Sequence, residues 1–184
     1  MALPEPMIGA PVSATGVIAY GPIGTAVPAN ASAELAEGFE TLGLVGEDGV
    51  TLAPERSRED KRAMGGQIVR TVQSEYGVTV TFTLLESTKA EVLKALFGED
   101  NVSVSGSAIS VRHNEQTPAN GVFVVTLKDG KNRRRLVAAN AQLLMEGDVQ
   151  YTHSELIQYS VTVTCYPDED NDNLHEYIDL DAAA

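Results

Sequence analysis

Alternating apolar and polar positions dominate the chain and predict β-strands. The clearest case is the segment 78–84, in which valine, phenylalanine and leucine are separated by threonines. Successive side chains of an extended strand point to opposite faces, so this segment has one side for a core and one polar side. The segment 161–165 has the same pattern. We therefore expect a mainly β protein.

One segment departs from this pattern and predicts a short helix at about 88–97. Thr88 and Glu91 fit a capping box at its start, and Gly98 stands where a helix commonly ends. Between them, apolar residues recur at helical spacing on one face. These residues are Val92, Leu93, Leu96 and Phe97. The predicted fold class is mainly β (α+β), an antiparallel β-sandwich or barrel with this one short flanking helix.

Turn-forming residues between the apolar runs predict β-hairpins, because glycine and aspartate tolerate the positive φ of tight turns. We expect turns at 47–49, 74–77, 106 and 129–130. The strands that they join are 42–45 with 50–52, 68–73 with 78–86, 102–104 with 109–111, and 122–127 with 136–138. Further strands are expected within 143–149 and 156–165.

The segment 54–66 interrupts this series of short strands and turns. It is a long, mixed-charge connection, and long loops in compact domains are often functional. We interpret it as an inter-subunit loop whose charges set register and orientation, with an ordinary solvated loop as the alternative. The candidate contact residues are Arg56, Arg58, Glu59, Asp60, Lys61 and Arg62.

A basic cluster at a predicted hairpin is a second candidate contact. Arg133, Arg134 and Arg135 lie in an acidic chain without interleaved aromatic residues, which favours an acidic protein neighbour over nucleic acid.

The strand 121–127 is apolar on both faces, so both faces must be covered. One alternative is cover by the chain's own helix and second sheet. The other is cover by a neighbouring subunit, which makes Val122 and Val124 interface candidates.

Proline spacing divides the chain. Prolines throughout the first 36 residues predict an extended N-terminal arm (1–36), with a strand at 15–20 and a weak helical turn at 30–37. A β-sandwich domain (37–167) and an acidic C-terminal tail (168–184) follow.

Composition limits the classes of function. A chain of 184 residues suits one domain, and its net charge of −13 disfavours binding through phosphate neutralisation. The single cysteine, Cys165, fits a reducing compartment. We expect neither a secretory leader nor a membrane span, because no long apolar run is present.

Catalytic and metal-binding patterns are weak. The segment 168–173 has oxygen ligands at alternate positions, but Asn173 stands where a calcium loop needs glycine, so a solvated turn is the better interpretation. The three histidines lack ligand spacing, and the sequence has neither a nucleophile elbow nor a phosphate-binding loop. We expect no enzyme, cofactor or metal; a hydrolase is the least favoured alternative.

Several segments in shared order resemble the major tail tube proteins of phages with long non-contractile tails. These segments are 42–51, Gly65-Gly66 before Ile68-Val69, 82–86, 92–102, 134–137 with 140–142, 159–164 and 166–178. The likeness extends from about residue 37 to residue 180.

This resemblance implies hexameric rings of a virion protein, stacked into a hollow tail tube that conducts DNA without binding it specifically. It also implies assembly in the host cytoplasm, without a membrane, and partners such as a tape measure protein and tail terminator or tail tip proteins. Glu146, Asp148 and Glu155 are the lumen candidates, with threonine rows as an alternative wall. A monomeric binding or decoration module is the alternative function, although the lack of tryptophan argues against it.

Overall fold

The structure is a computed structural model that describes residues 6–14 and 16–180. The strands in this part are β1 (Ala10–Pro11), β2 (Ile18–Pro22), β3 (Glu40–Thr41), β4 (Val45–Arg62), β5 (Ile68–Leu84), β6 (Val102–Ser105), β7 (Ala108–Val111), β8 (Gly121–Asp129), β9 (Asn132–Met145), β10 (Tyr159–Cys165) and β11 (His175–Asp179). The helix α1 (Ala90–Phe97) follows β5 and precedes a 3-10 turn at Glu99–Asn101.

Nine strands form one antiparallel sheet. Seven of them follow the order β3-β2-β8-β9-β10-β5-β4, while β1 pairs with β8 and β11 pairs with β9. The remaining strands, β6 and β7, form a separate hairpin. This architecture confirms the predicted antiparallel, mainly β fold with one short helix.

The two ends of this strand order lie close together. Only Leu42, Gly43 and Leu44 separate β3 from β4, and so short a segment spans at most about 15 Å. The amide of Leu42 donates to Ile18, and the carbonyl of Leu44 accepts from Leu85, both at 3.0 Å. The sheet therefore curls into a barrel-like form around the main core.

The main core lies inside this curl. Phe82 of β5 stacks on Phe123 of β8, with ring centroids 5.8 Å apart, although two strands separate them in the sheet. The helix α1 adds Val92, Leu93 and Leu96 to this core. Its amphipathic pattern therefore predicted both its existence and its buried face.

The ends of α1 differ in how well the sequence predicted them. Gly98 terminates the helix with φ 88°, as expected, and donates to the carbonyl of Lys94. The predicted capping box is wrong: Lys89 is the N-cap residue and makes no side-chain capping bond. The helix begins at Ala90, so Thr88 lies outside the position that a capping box requires.

Strand β8 is covered on both faces by its own chain. Phe123 and Val125 join the main core, while Val122 and Val124 pack with Leu35 and other residues on the opposite face. Val122 is only 1% exposed and Val124 is 0% exposed. They are therefore not accessible to a neighbouring subunit in this structure, contrary to their choice as interface candidates.

The N-terminal segment packs against the sheet instead of extending away from it. Its strand is Ile18–Pro22, shifted from the predicted 15–20, and Thr15 lies outside the described residues. The predicted helical turn at 30–37 is wrong, because Asn30 Oδ1 accepts hydrogen bonds from the amides of Ser32 and Ala33 in a local turn. Residues 1–5 and 181–184 are also outside the described part, and the domain limits at 36/37 and 167/168 stay predictions.

Two predicted hairpins do not exist. Residues 46–49 form an irregularity within β4, between the pairs Val45 with Leu84 and Val50 with Phe82. Residues 74–77 lie within β5, which is continuous. The local turn propensity of Asp-Gly and of Gly77 is overridden by the long pairing of β4 with β5.

The two later hairpins are confirmed. Strands β6 and β7 join at Gly106, and β8 joins β9 at Gly130, which has φ 58°. Strand β9 is longer than expected, because it joins the predicted strand at 136–138 to the start of the one predicted at 143–149. It ends at Met145, so the predicted strand over 146–149 is wrong.

Candidate assembly interface

The strands β4 and β5 continue beyond the core as a two-stranded hairpin, here called the arm (residues 54–76). Pairing continues from Pro54 with Val78 to Arg62 with Ile68, and residues 63–67 form its tip. All side chains of the arm are exposed, whereas Val78 and Val80 at its base are buried. No part of the described chain therefore covers the arm.

The predicted loop 54–66 is thus mostly strand, which corrects its assignment. A half-buried strand is recognised by its alternation of apolar and polar residues. In the arm both faces meet solvent, so this alternation is missing and the segment has the composition of a loop. Charged residues on a long exposed edge also discourage indiscriminate strand pairing.

The arm has a defined length. Nine residues from Pro54 to Arg62 at about 3.3 Å each project the tip roughly 30 Å beyond the base. A two-stranded hairpin in water is only marginally stable by itself, because neither face is buried. The length and exposure of the arm therefore indicate that it packs against another molecule.

Side-chain contacts brace the arm across its two strands near the base. The guanidinium of Arg56 lies 4.6 Å from the centroid of the Tyr76 ring, and it donates a hydrogen bond of 3.3 Å to Gln73 Oε1. The Arg56 side chain thus contacts the opposite strand of the arm, and these contacts help to keep the two strands in register.

Further contacts lie nearer the tip. Thr71 Oγ1 donates to Asp60 Oδ1 at 2.7 Å, and Arg62 donates to the carbonyl of Gly66 at 3.1 Å. Lys61 and Glu59 form an exposed ion pair of 2.7 Å. Exposed pairs of this kind contribute little stability, so these charges remain suited to contacts with a partner.

The arm is more basic than the rest of the chain. It contains five of the 13 lysines and arginines but only four of the 26 acidic residues. Lys61 lies directly opposite Arg70 on the neighbouring strand, and the ion pair of Lys61 with Glu59 offsets part of the repulsion between these two cations. Arg70 was missed in the sequence because its position opposite Lys61 depends on the strand register.

The tip region also exposes apolar side chains. Met64 is fully exposed, Val69 is largely exposed and Ile68 is about half exposed. Exposed apolar groups that cluster at the end of a projection mark an interaction surface. Gly65 and Gly66 beside them leave open space around the backbone.

A family model of phage tail tube proteins matches residues 8–184 of the chain. The chain belongs to the phage tail tube protein family. It is therefore a structural protein of the virion tail, in a family whose members are not normally enzymes. No match was found among the curated proteins.

In this tail tube protein the basic cluster 133–135 is not a single surface patch. Arg134 pairs with Glu176 of β11, and Arg133 lies opposite Asp179 on the same strand. Arg135 is only 5% exposed, so it is not accessible as an interface residue. All three side chains lie on one strand, and the residues around each one determine whether it is accessible to a partner.

Arg135 instead binds groups of its own chain. It donates to Thr126 Oγ1 at 3.0 Å and to the carbonyls of Asn30 and Ala33 at 3.0 and 2.8 Å. Burial, and secondarily the charge of Arg133, lowers the pKa of the guanidinium, while Asp179 raises it. The predicted interface residue is therefore an internal anchor of the N-terminal segment.

The lumen candidates lie in the connection between β9 and β10. Glu146, Asp148 and Glu155 are all exposed, away from the arm. Their facing a channel stays a prediction.

The acidic segment after β10 forms a turn organised by Asp168. Its carboxylate accepts hydrogen bonds from the amides of Asp170 and Asp172 and contacts His175 Nε2 at 2.7 Å. The hydrogen bond with His175 is the largest cause that lowers the pKa of Asp168. After this turn, strand β11 pairs with β9 of the same chain.

Within residues 6–14 and 16–180, no group of three or more histidine, cysteine or acidic residues is arranged to hold a metal ion. No helix there is long and apolar enough to cross a membrane.

Proposed function

We propose that this tail tube protein forms six-membered rings that stack into a hollow tube, through which phage DNA leaves the particle. The observation that carries the proposal is the exposed arm, which no part of the described chain covers. Membership of the tail tube family supports self-assembly as the reason for this exposure.

The arm contacts the adjacent ring. Closed rings and stacked rings require different, complementary patches on each subunit. The arm projects roughly 30 Å from the barrel, so its tip can contact a neighbouring subunit. Its candidate contact residues are Arg56, Arg58, Glu59, Asp60, Lys61 and Arg62.

The acidic charge of the chain keeps DNA from adhering to the tube. Six copies at −13 each carry about −78 per ring, and like charges repel a phosphate backbone. Glu146, Asp148 and Glu155 are the proposed lumen residues. A tape measure protein inside the tube and terminator and tip proteins at its ends are the proposed partners.

The assembly test uses the purified chain, size-exclusion chromatography and negative-stain electron microscopy. The unchanged protein should form rings or tubes. Replacing Arg56, Arg58, Lys61 and Arg62 with alanine should leave monomers or single rings, because stacking contacts are lost. Normal tubes from this variant would contradict the role of the arm.

A matched pair of double variants separates the position of the charges from their number. Lys61→Ala with Arg62→Ala should reduce tube formation, whereas Arg112→Ala with Lys131→Ala, which removes the same positive charge outside the arm, should leave tubes intact. Thermal unfolding checks that every variant is folded. A strict monomer at high concentration of the unchanged protein would instead favour the monomeric binding module.

A further inference from the structure

A groove lies between the end of β2, the helix α1 and residues 118–120. Its volume is about 490 Å³. The hydroxyl of Tyr20 donates to the carbonyl of Ala119 at 2.9 Å, which joins one wall to β2. Ile23, which is 59% exposed, supplies apolar surface, while Leu42 and Ala95 also line the groove but are buried. The groove can therefore receive a narrow, partly apolar projection.

The charge of the groove is acidic. Glu40, Glu91, Glu99 and Lys94 line it, and Lys94 pairs with Glu99 at 3.2 Å. Within the described part of the chain, the side chains of Glu40 and Glu91 have no hydrogen bond or ion pair. Two carboxylates are thus left for a cationic partner.

The end of the arm has the complementary properties. The cations Lys61 and Arg70 lie side by side on neighbouring strands, and Met64, in the turn beyond them, is fully exposed. Alanine and two glycines beside Met64 make the tip narrow. An acidic, partly apolar groove would attract Lys61 and Arg70 and cover the methionine.

The tip and the groove lie far apart within one molecule. From the tip, β5 runs through 17 residues to Leu84 before the chain enters α1, whose Glu91 and Ala95 line the groove. From Glu40, the chain passes the whole of β4 before it reaches the tip. A contact between these surfaces must therefore join two copies head to tail, which is an interface that repeats along a stack.

We propose that the tip of one copy docks into this groove of a second copy, with Lys61 and Arg70 against Glu40 and Glu91 and with Met64 against Ile23. This inference rests on the proposed self-assembly and adds the site at which the arm binds.

A charge exchange tests the pairing. Lys61→Glu with Arg70→Glu reverses the charge of the tip, and Glu40→Lys with Glu91→Lys reverses the charge of the groove. Each pair of changes should reduce the sedimented tube mass at least tenfold. The chain with all four changes should recover at least half of it, because every contact in its stack is again complementary.

The outcomes separate this inference from the proposed function. Tubes of normal yield from the reversed groove, while the reversed tip blocks assembly, would overturn the docking site and leave the arm's role intact. Failure of the unchanged chain to assemble would overturn both. A folded fourfold variant that does not assemble would also count against the docking site.

Cross-linking measures the contact directly. Met64→Cys and Ile23→Cys are combined and treated with a short bismaleimide, while Cys165, at 2% exposure, should not react. A ladder of cross-linked multimers on a denaturing gel is expected. Met64→Cys with Ile178→Cys is the control, because Ile178 is similarly exposed, at 50%, but lies on β11. Tubes without a ladder, or an equal ladder from the control, would overturn the docking.

Discussion

Arg135 shows how one side chain determines which surface of the protein is accessible. Its buried guanidinium is stabilised by hydrogen bonds to Thr126 and to two carbonyls of the N-terminal segment. These bonds hold that segment over the outer face of β8, where Leu35 packs with Val122 and Val124. The residue is therefore an organiser of the fold rather than a contact for a neighbour.

Arg135→Ala should lower the free energy of unfolding by about 2–3 kcal/mol, because two carbonyls and one hydroxyl lose a charged donor. Arg134→Ala, which removes only an exposed ion pair with Glu176, should cost less than about 1 kcal/mol. Urea unfolding followed by circular dichroism measures both. Equal losses in the two variants would contradict the anchoring role of Arg135.

The arm differs in local stability from the parts of β4 and β5 that lie in the core. Its base continues into Val78 and Val80, which are buried in the core, whereas residues 54–76 are exposed on both faces. Backbone hydrogen bonds that water can reach open locally at low free energy. The same two strands thus contain a stable half and a labile half.

Amide hydrogen exchange should reveal this difference. In unassembled protein, arm amides should exchange quickly, while those of residues 78–84 remain protected by the core. In tubes, the arm amides should gain at least a hundredfold protection because a neighbour covers them. The segment 146–158, outside the proposed docking contact, is the internal comparison. An arm that exchanges equally fast in both states would contradict its burial on assembly.

The whole molecule has two different ends and a large negative net charge. Groove and tip lie at different ends, so copies can stack in one direction, but each copy carries −13 and repels the next. This repulsion acts over about 30 Å at 0.01 M salt and about 8 Å at 0.15 M, whereas close ion pairs within an interface are screened less. Salt therefore weakens the long-range repulsion first.

We accordingly expect faster tube growth as sodium chloride rises from 0.01 to 0.15 M, measured by light scattering. Potassium chloride at equal ionic strength should have the same effect, because the cause is screening rather than a specific ion. Slower growth over this range would mean that attraction between exposed charges dominates assembly.

The sequence predicted those parts of the fold that depend on local properties. Residues 78–84 alternate because one face is buried, α1 has an apolar face, and glycines at 98 and 130 allow positive φ. Charge in the segment 56–62 also indicated the candidate interface. Its form as a strand was missed because a strand exposed on both faces has no apolar alternation.

By itself, the sequence determined the β class, the single helix and the acidic character of this protein, since each follows from neighbouring residues or from composition. Only the tertiary structure decided the closure of the sheet at 42–44, the burial of Arg135 and the cover of β8. It also decided which cations stand opposite each other in the arm. These features depend on contacts between residues that are distant in the chain, and local sequence patterns do not predict such contacts.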